Sequence, residues 1–323
     1  MDRRAFLLSL AVTLPFSCKR STKTVIGVVP QGVNAIFWQS VHAGVMAAGR
    51  KHNVEILWNG PSQETEYARQ IQIVESMINQ EVSGIAISPS DRTALVRVVE
   101  RATAAGIPVT IFDSGIDTDK YVSFVATDNY SAGATAAITL GELLNGEGDV
   151  AMVKHAPGND STMKRERGFE DTLRDKLPRL TIVNQQFCMT DRARAMAVTE
   201  DMMTAHPELS GIFCSSEAAS VGAARAIKVR GMAGKIKVVG FDSAPSLEKS
   251  LQDGVIDALV VQDPFNMGYL GVETVVTKLS GGIPPKHIDS PTRVIRLADL
   301  KDPEVQRLLN PNIESYLNSR SEI

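Results

Sequence analysis

Short runs of apolar, often β-branched residues alternate with longer amphipathic stretches from residue 24 onward. Runs at 25–29, 54–58, 84–88, 109–112 and 122–126 have the length and composition of strands buried in a sheet. Between them, helical spacing of apolar positions covers 37–52, 64–80, 93–105 and 131–144. In the first of these stretches Val41, Val45 and Ala48 follow one another at intervals of four and three, which lines up one stripe for packing on a sheet. The pattern then restarts, with strands at 150–153, 181–183, 211–214, 238–241 and 258–261 and helices near 164–174, 192–205, 220–228 and 246–253. Such alternation predicts an α/β protein with parallel sheets, and two successive sets of similar length predict two doubly wound lobes. A last apolar helix, 266–279, has no strand of its own in the second set, which suggests a chain that crosses back to the first lobe.

A chain of 323 residues has room for two cores. Its 34 Lys and Arg against 37 Asp and Glu, with no basic block, argue against a nucleic-acid partner. No interior stretch approaches the roughly 20 apolar residues of a spanning helix. The N-terminus differs from the rest. Arg3 and Arg4 precede an apolar run, 5–16, that is too short to span a bilayer but suits an export signal. The string Arg3, Arg4, Ala5, Phe6, Leu7 resembles a twin-arginine signal, with Asp2 where Ser or Thr is usual; Sec-dependent export is the alternative. Cys18, after Ser17 at the end of that run, is the candidate for acylation, although Pro15 and Phe16 depart from the usual lipoprotein pattern. Residues 1–23 therefore read as export signal and tether, with a periplasmic destination, and a lipid on Cys18 is the one expected membrane attachment; cleavage to a soluble protein is the other outcome. Cys188 and Cys214 are too few and too widely spaced for a zinc site or a disulfide framework, and read as buried thiols.

In open parallel sheets ligands gather at the carboxyl ends of strands. Polar residues follow the predicted strands at those ends: Ser88 and Asp91, Asp113 and Ser114, Ser216 and Glu217, Asp242, and Gln262. A carboxylate accepts two hydrogen bonds from vicinal hydroxyls, which points to a sugar or polyol. Phe37 and Trp38, past the first strand, offer aromatic faces for the apolar side of a sugar ring. Arg165 opens the helix after the loop 155–163 and is placed to reach a cleft; Arg167, two residues on, faces the opposite side and suits a surface ion pair. For each residue alone, a helix cap or an ordinary loop polar group is the competing role.

From Thr24 to Leu300 the chain resembles the periplasmic sugar-binding proteins of ABC transporters, of the ribose-binding type. The resemblance is carried by Phe37-Trp38 with Gly44, Pro89-x-Asp91, Gly106-Ile107-Pro108-Val109 leading to Asp113, and Thr127-Asp128-Asn129. It continues with Arg165-Glu166-x-Gly168-Phe169, Ala205-His206-Pro207, Val239-Gly240-Phe241-Asp242 and Gln262. It implies the type 1 periplasmic binding protein fold, with Phe37 and Trp38 flanking the ring and Asp113 and Asp242 binding hydroxyls from opposite lobes. Arg165 and Gln262 would contact the ring oxygen or hydroxyls, and Ser88 would stand where the family often has Asn. Ser114, Thr190 and Ser216 replace a common Arg, aromatic and Asn, which implies a ligand other than ribose. Three hinge crossings are implied near 127–128, 262–263 and 290–292, giving a first lobe of 24–127 plus 263–290 and a second of 128–262 plus 291–323. The implied partners are a permease in the inner membrane and the sugar or polyol itself, with no cofactor and no metal, the protein acting as a monomer.

Three other classes share parts of this pattern. A lactose-repressor-type regulator needs a DNA-binding module of about 50 to 60 residues before the first strand; 23 precede Thr24. An enzyme is not expected: there is no GxGxxG, Walker or GxSxG motif, and His42, His52, His155, His206 and His287 lack metal-ligand spacing. A binding protein that reports to a sensor kinase or chemoreceptor has the same sequence signature as a transport component.

Overall fold

A computed structural model describes residues 23–317; the candidate export signal and Cys18 lie outside them. The first half runs β1 (Val25–Val29), α1 (Ile36–His52), β2 (Glu55–Trp58), α2 (Tyr67–Asn79), β3 (Gly84–Ile87), α3 (Val96–Ala104), β4 (Val109–Phe112) and β5 (Ser123–Ala126). There follow α4 (Asn129–Leu143), β6 (Gly148–Lys154), α5 (Asp160–Lys176), β7 (Leu180–Phe187), α6 (Arg192–Ala205), β8 (Leu209–Cys214), α7 (Glu217–Val229), β9 (Lys237–Phe241), α8 (Pro245–Gln252) and β10 (Ala258–Val261). The chain closes with α9 (Pro264–Leu279), β11 (His287–Asp289), β12 (Arg293–Ile295), α10 (Pro303–Leu309) and α11 (Ile313–Leu317).

Two six-stranded sheets result, ordered β11-β5-β4-β3-β1-β2 and β12-β10-β9-β8-β6-β7. The orders correspond strand for strand, so the second lobe repeats the first. All pairings are parallel except β10 with β12. Val28, Ile85, Ile87 and Ile111 in the first sheet and Val153, Ile212 and Val238 in the second have no exposed surface, because helices cover both faces.

The chain passes between the sheets after β5, after β10, and between β11 and β12. Asp128 and Asp263 stand at the first two passages and cap the helices that follow, accepting from Ser131 N and Asn266 N. α9 lies on β3, β4 and β5, on the first lobe, as its lack of a partner strand suggested. A fourth passage was not foreseen. Residues 291–323 were expected in the second lobe, and α10 does bury Val305 and Leu309 in that lobe's core. α11, however, returns to the first lobe: Arg50 on α1 donates to the carbonyls of Ser315 and Tyr316, and the Tyr316 ring packs on Phe265. The short apolar face of α11 carried no directional signal; the position of α1 decides where it docks.

Each lobe seats a helix pair by removing side chains. A Cβ on Gly133 of α4 would stand 1.9 Å from the Arg165 carbonyl oxygen, and one on Gly168 of α5 2.0 Å from that of Tyr130. α1 and α9 repeat the device with Gly44 and Gly268. Gly133→Ala should cost about 1–3 kcal/mol, because the obstacle is backbone that must shift. Urea denaturation measures this, and an unchanged midpoint would show that the helices separate freely.

Cys188 and Cys214 are buried on opposite flanks of β6: Cys188 N donates to Lys154 O, and Cys214 is in register with Val153. Two strand spacings separate their Cα atoms by about 10 Å, beyond the ~7 Å reach of a disulfide. Burial pushes the Cys188 thiol up to about 11 and raises that of Cys214 as well.

Candidate functional site

Carboxyl ends of strands from both lobes face one cavity of about 430 Å³. Asp113 follows β4 and Asp242 follows β9, the corresponding strand of the other lobe. Both adopt left-handed backbone, with φ of 60° and 67°, a conformation that Asp enters more readily than most residues. In each case the amide still donates to the neighbouring strand, Asp113 N to Val125 O and Asp242 N to Val260 O. The strand is thus paired up to the point where the backbone turns the carboxylate aside.

Arg165 stands between them. Its side chain is almost wholly buried, with Nε donating to Asn129 Oδ1 at 2.7 Å and Nη1 to the Ser215 carbonyl at 3.1 Å. The guanidinium lies 3.8 Å over the Phe241 ring and 4.0 Å from Asp242 Oδ2. Arg167 points the other way, into solvent, and pairs with Asp171. Helical rotation of about 200° over two residues separates the two arginines. Asp242 accepts from Gln262 Nε2 at 2.7 Å and from Glu217 N at 3.2 Å. Asp113 Oδ2 accepts from Ser88 Oγ at 2.9 Å and Gln31 Nε2 at 3.2 Å.

Burial raises both aspartate pKa values, offset in part by the Arg165 charge, and that of Asp113 reaches about 7. The charges of Asp242 and Glu64 add to the upward push on Asp113. Burial works in the same sense on Glu64, yet the bonds from His155 and Trp38 outweigh it and hold that carboxyl below its ordinary value. The site therefore holds one carboxylate, Glu64, that its donors secure, and two, Asp113 and Asp242, whose charge burial opposes.

Of the ten residues expected at the site, eight line the cavity: Phe37, Trp38, Asp113, Arg165, Thr190, Ser216, Asp242 and Gln262. Ser88 and Ser114 stand behind that lining. Both are fully buried: Ser88 stands behind Asp113 as its donor, and the Ser114 hydroxyl accepts from Ser161 N. A residue at a strand end faces the cleft or the next strand according to the pleat and the local turn, which strand order alone does not tell. Trp38 is also less open than expected. Its indole N–H donates to Glu64 Oε1 at 2.7 Å, and its ring packs edge-on against Phe37 and Phe112, leaving 2% of the residue exposed.

Gln31, Glu64, His155, Asn159 and Arg192 line the cavity without having been singled out. His155 directly follows β6 and Gln31 stands two residues past β1, so the strand-end rule would have found both. Asn159 opens the Asn-x-x-Thr cap of α5. Glu64, expected to open the second helix, sits in the loop before α2, which begins at Tyr67. Among the described residues no cluster of His, Cys, Asp and Glu is arranged to hold a metal ion.

Two corresponding α/β lobes around a cleft walled by carboxylates, amides and an arginine define a two-lobed solute-binding protein. The chain belongs to the periplasmic binding protein family, whose domain it matches over residues 26–283. It is 28% identical over 280 residues to the ribose import binding protein RbsB of Bacillus subtilis, which covers 87% of this chain and 90% of that protein. It is 30% identical over 255 residues to the D-allose-binding periplasmic protein of Escherichia coli, 76% and 81% of the two chains. A solute-binding protein of an Agrobacterium vitis ABC transporter, solved with bound D-fucose, is 36% identical and superposes with a TM-score of 0.86 over 88% of this chain and all of its own. A carbohydrate transporter solute-binding protein from Agrobacterium radiobacter, in complex with D-arabinose, gives 31% and a TM-score of 0.88, over 90% of this chain and all of its own. These relatives are sugar-binding transport proteins, not enzymes.

Proposed function

We propose that this protein is the exported binding component of an ABC importer and closes its lobes on a monosaccharide or related polyol. The observation that carries the reading is the pair Asp113 and Asp242, presented by corresponding strands of opposite lobes with Arg165 between them. Each carboxylate has donors on one side and the cavity on the other, so a ligand with several hydroxyls satisfies both lobes at once. Phe37, Trp38, Thr190, Ser216 and Gln262 complete the wall, and Ser88 and Ser114 support it from behind. The passages at 127–128, 262–263 and 290–292 serve as hinges, a few residues absorbing the rotation. The closed form is then what an inner-membrane permease recognises. Residues 1–18 supply the export signal, with Cys18 as the site of a lipid anchor.

The test is thermal denaturation of the purified mature chain with D-fucose, D-arabinose, D-tagatose, D-allose, D-ribose and simple polyols. A ligand at 100 times its Kd adds about 2.7 kcal/mol to stability and raises Tm accordingly. A flat response to every sugar and polyol, or chemical conversion of a bound one, would count against the reading.

A further inference from the structure

Gln31 and Asn159 meet across the cleft. Gln31 belongs to the first lobe; its Nε2 donates to Asp113 Oδ2 at 3.2 Å, to Ser88 Oγ at 3.0 Å and to the Pro89 carbonyl at 3.1 Å. Those acceptors fix the amide with its oxygen turned outward. That oxygen accepts from Asn159 Nδ2 of the second lobe at 2.8 Å. Asn159 is held the same way round, because its own Oδ1 caps α5, accepting from Thr162 N, Thr162 Oγ1 and Ser161 Oγ. Six residues further along α5 stands Arg165. An unbroken polar chain therefore runs from Asp113 through both amides into the helix that carries Arg165. Other bridges close the same face, Glu64 to His155 at 3.2 Å, Arg92 N to the Gly158 carbonyl and Ser161 N to Ser114 Oγ, but none of these bonds engages Asp113.

We propose that the Gln31–Asn159 amide pair is a latch that couples the state of Asp113 in one lobe to the position of Arg165 in the other. Both are positioning residues, and the proposal rests on the closure reading above. Ligand hydroxyls that keep Asp113 ionised keep it a strong acceptor for Gln31. Gln31 then presents its oxygen where only the closed second lobe supplies a donor. At 2% and 3% exposure the two amides are buried against each other, so losing one side leaves a buried polar group without that partner.

Two variants separate the latch from the helix cap. Asn159→Asp keeps the capping oxygen and loses the donor to Gln31; Gln31→Met keeps the volume and loses both ends. The first readout needs no ligand: the distance between spin labels on exposed Tyr67 and Val229, one on each lobe. Each single variant should move the population toward longer distances, and the double variant should add little to Gln31→Met, since the one bond between the lobes, Asn159 Nδ2 to Gln31 Oε1, is already lost there. Unmoved distances in both single variants, or effects that add in the double, would overturn the latch. In a second arm, the tightest wild-type binder among D-fucose, D-arabinose and D-allose should lose about tenfold in affinity in each variant, with no further loss in the double. A wild type that binds none of these sugars counts against the sugar reading, while the distance measurement still decides the latch.

Discussion

Arg165→Met should abolish ligand binding and lower stability by roughly 3–5 kcal/mol, the range for removing one partner from a buried charged cluster. The guanidinium is a cation that the buried Asp113 and Asp242 both feel, and it offsets in part the burial that raises each pKa. Its removal leaves two carboxylates with hydroxyl, amide and backbone donors only. Asn129 Oδ1 and the Ser215 carbonyl lose their donor in the same step. Met keeps much of the length and the apolar contact with Phe241, so the loss reads out charge and hydrogen bonds and not a cavity. Calorimetric titration and urea denaturation measure the two effects. Retained binding would place the ligand elsewhere, and an unchanged midpoint would show that the aspartates are neutral in the native state.

Asp113→Asn carries the second large effect, with opposite signs for binding and for stability. Binding should weaken at least thirtyfold, about 2 kcal/mol, because an amide presents one acceptor and a donor to hydroxyls that need a carboxylate. The stability of the ligand-free protein should rise at neutral and alkaline pH. Proton linkage sets the sign: burial lifts the folded Asp113 to about 7 against an ordinary 3.8. Between those values the folded chain binds more protons than the unfolded one, so stability falls as pH rises from about 4 to about 7. The full shift corresponds to roughly 4 kcal/mol at most. Asn does not titrate and tolerates the left-handed backbone at this position, so the Asp113 share of the slope should vanish. Urea midpoints of both proteins at pH 5 and pH 8 decide it. Parallel pH profiles would mean that Asp113 stays ionised throughout. In the wild type a bound sugar should flatten the slope, since its hydroxyls favour the charged carboxylate.

Strand ends give direction to these predictions because their chemistry was legible early. Asp113, Asp242 and Gln262 each follow a short buried run, and in a parallel sheet the residue after the run stands at the ligand-binding edge. Ser88 and Ser114 satisfied the same rule and proved to be supports, because the turn after each strand aims some side chains into the cleft and others at a neighbour. Glu64 met no rule of this kind. Its role follows from Trp38 and His155, one from each lobe, converging on a residue that apolar spacing placed at the start of a helix and that stands in the loop before it.

The sequence by itself determined the local and repeating features: which segments are strands and helices, that the α/β pattern occurs twice, and that polar residues recur at the same strand edge. These depend on spacing within a few residues, and hydrophobic periodicity reports them directly. Only the tertiary structure decided which polar residue faces the cavity, that α11 returns to the first lobe, and that Gln31 meets Asn159. Those outcomes depend on how two lobes are set against each other by packed helices, and a bond between residues 128 positions apart leaves no trace in either neighbourhood.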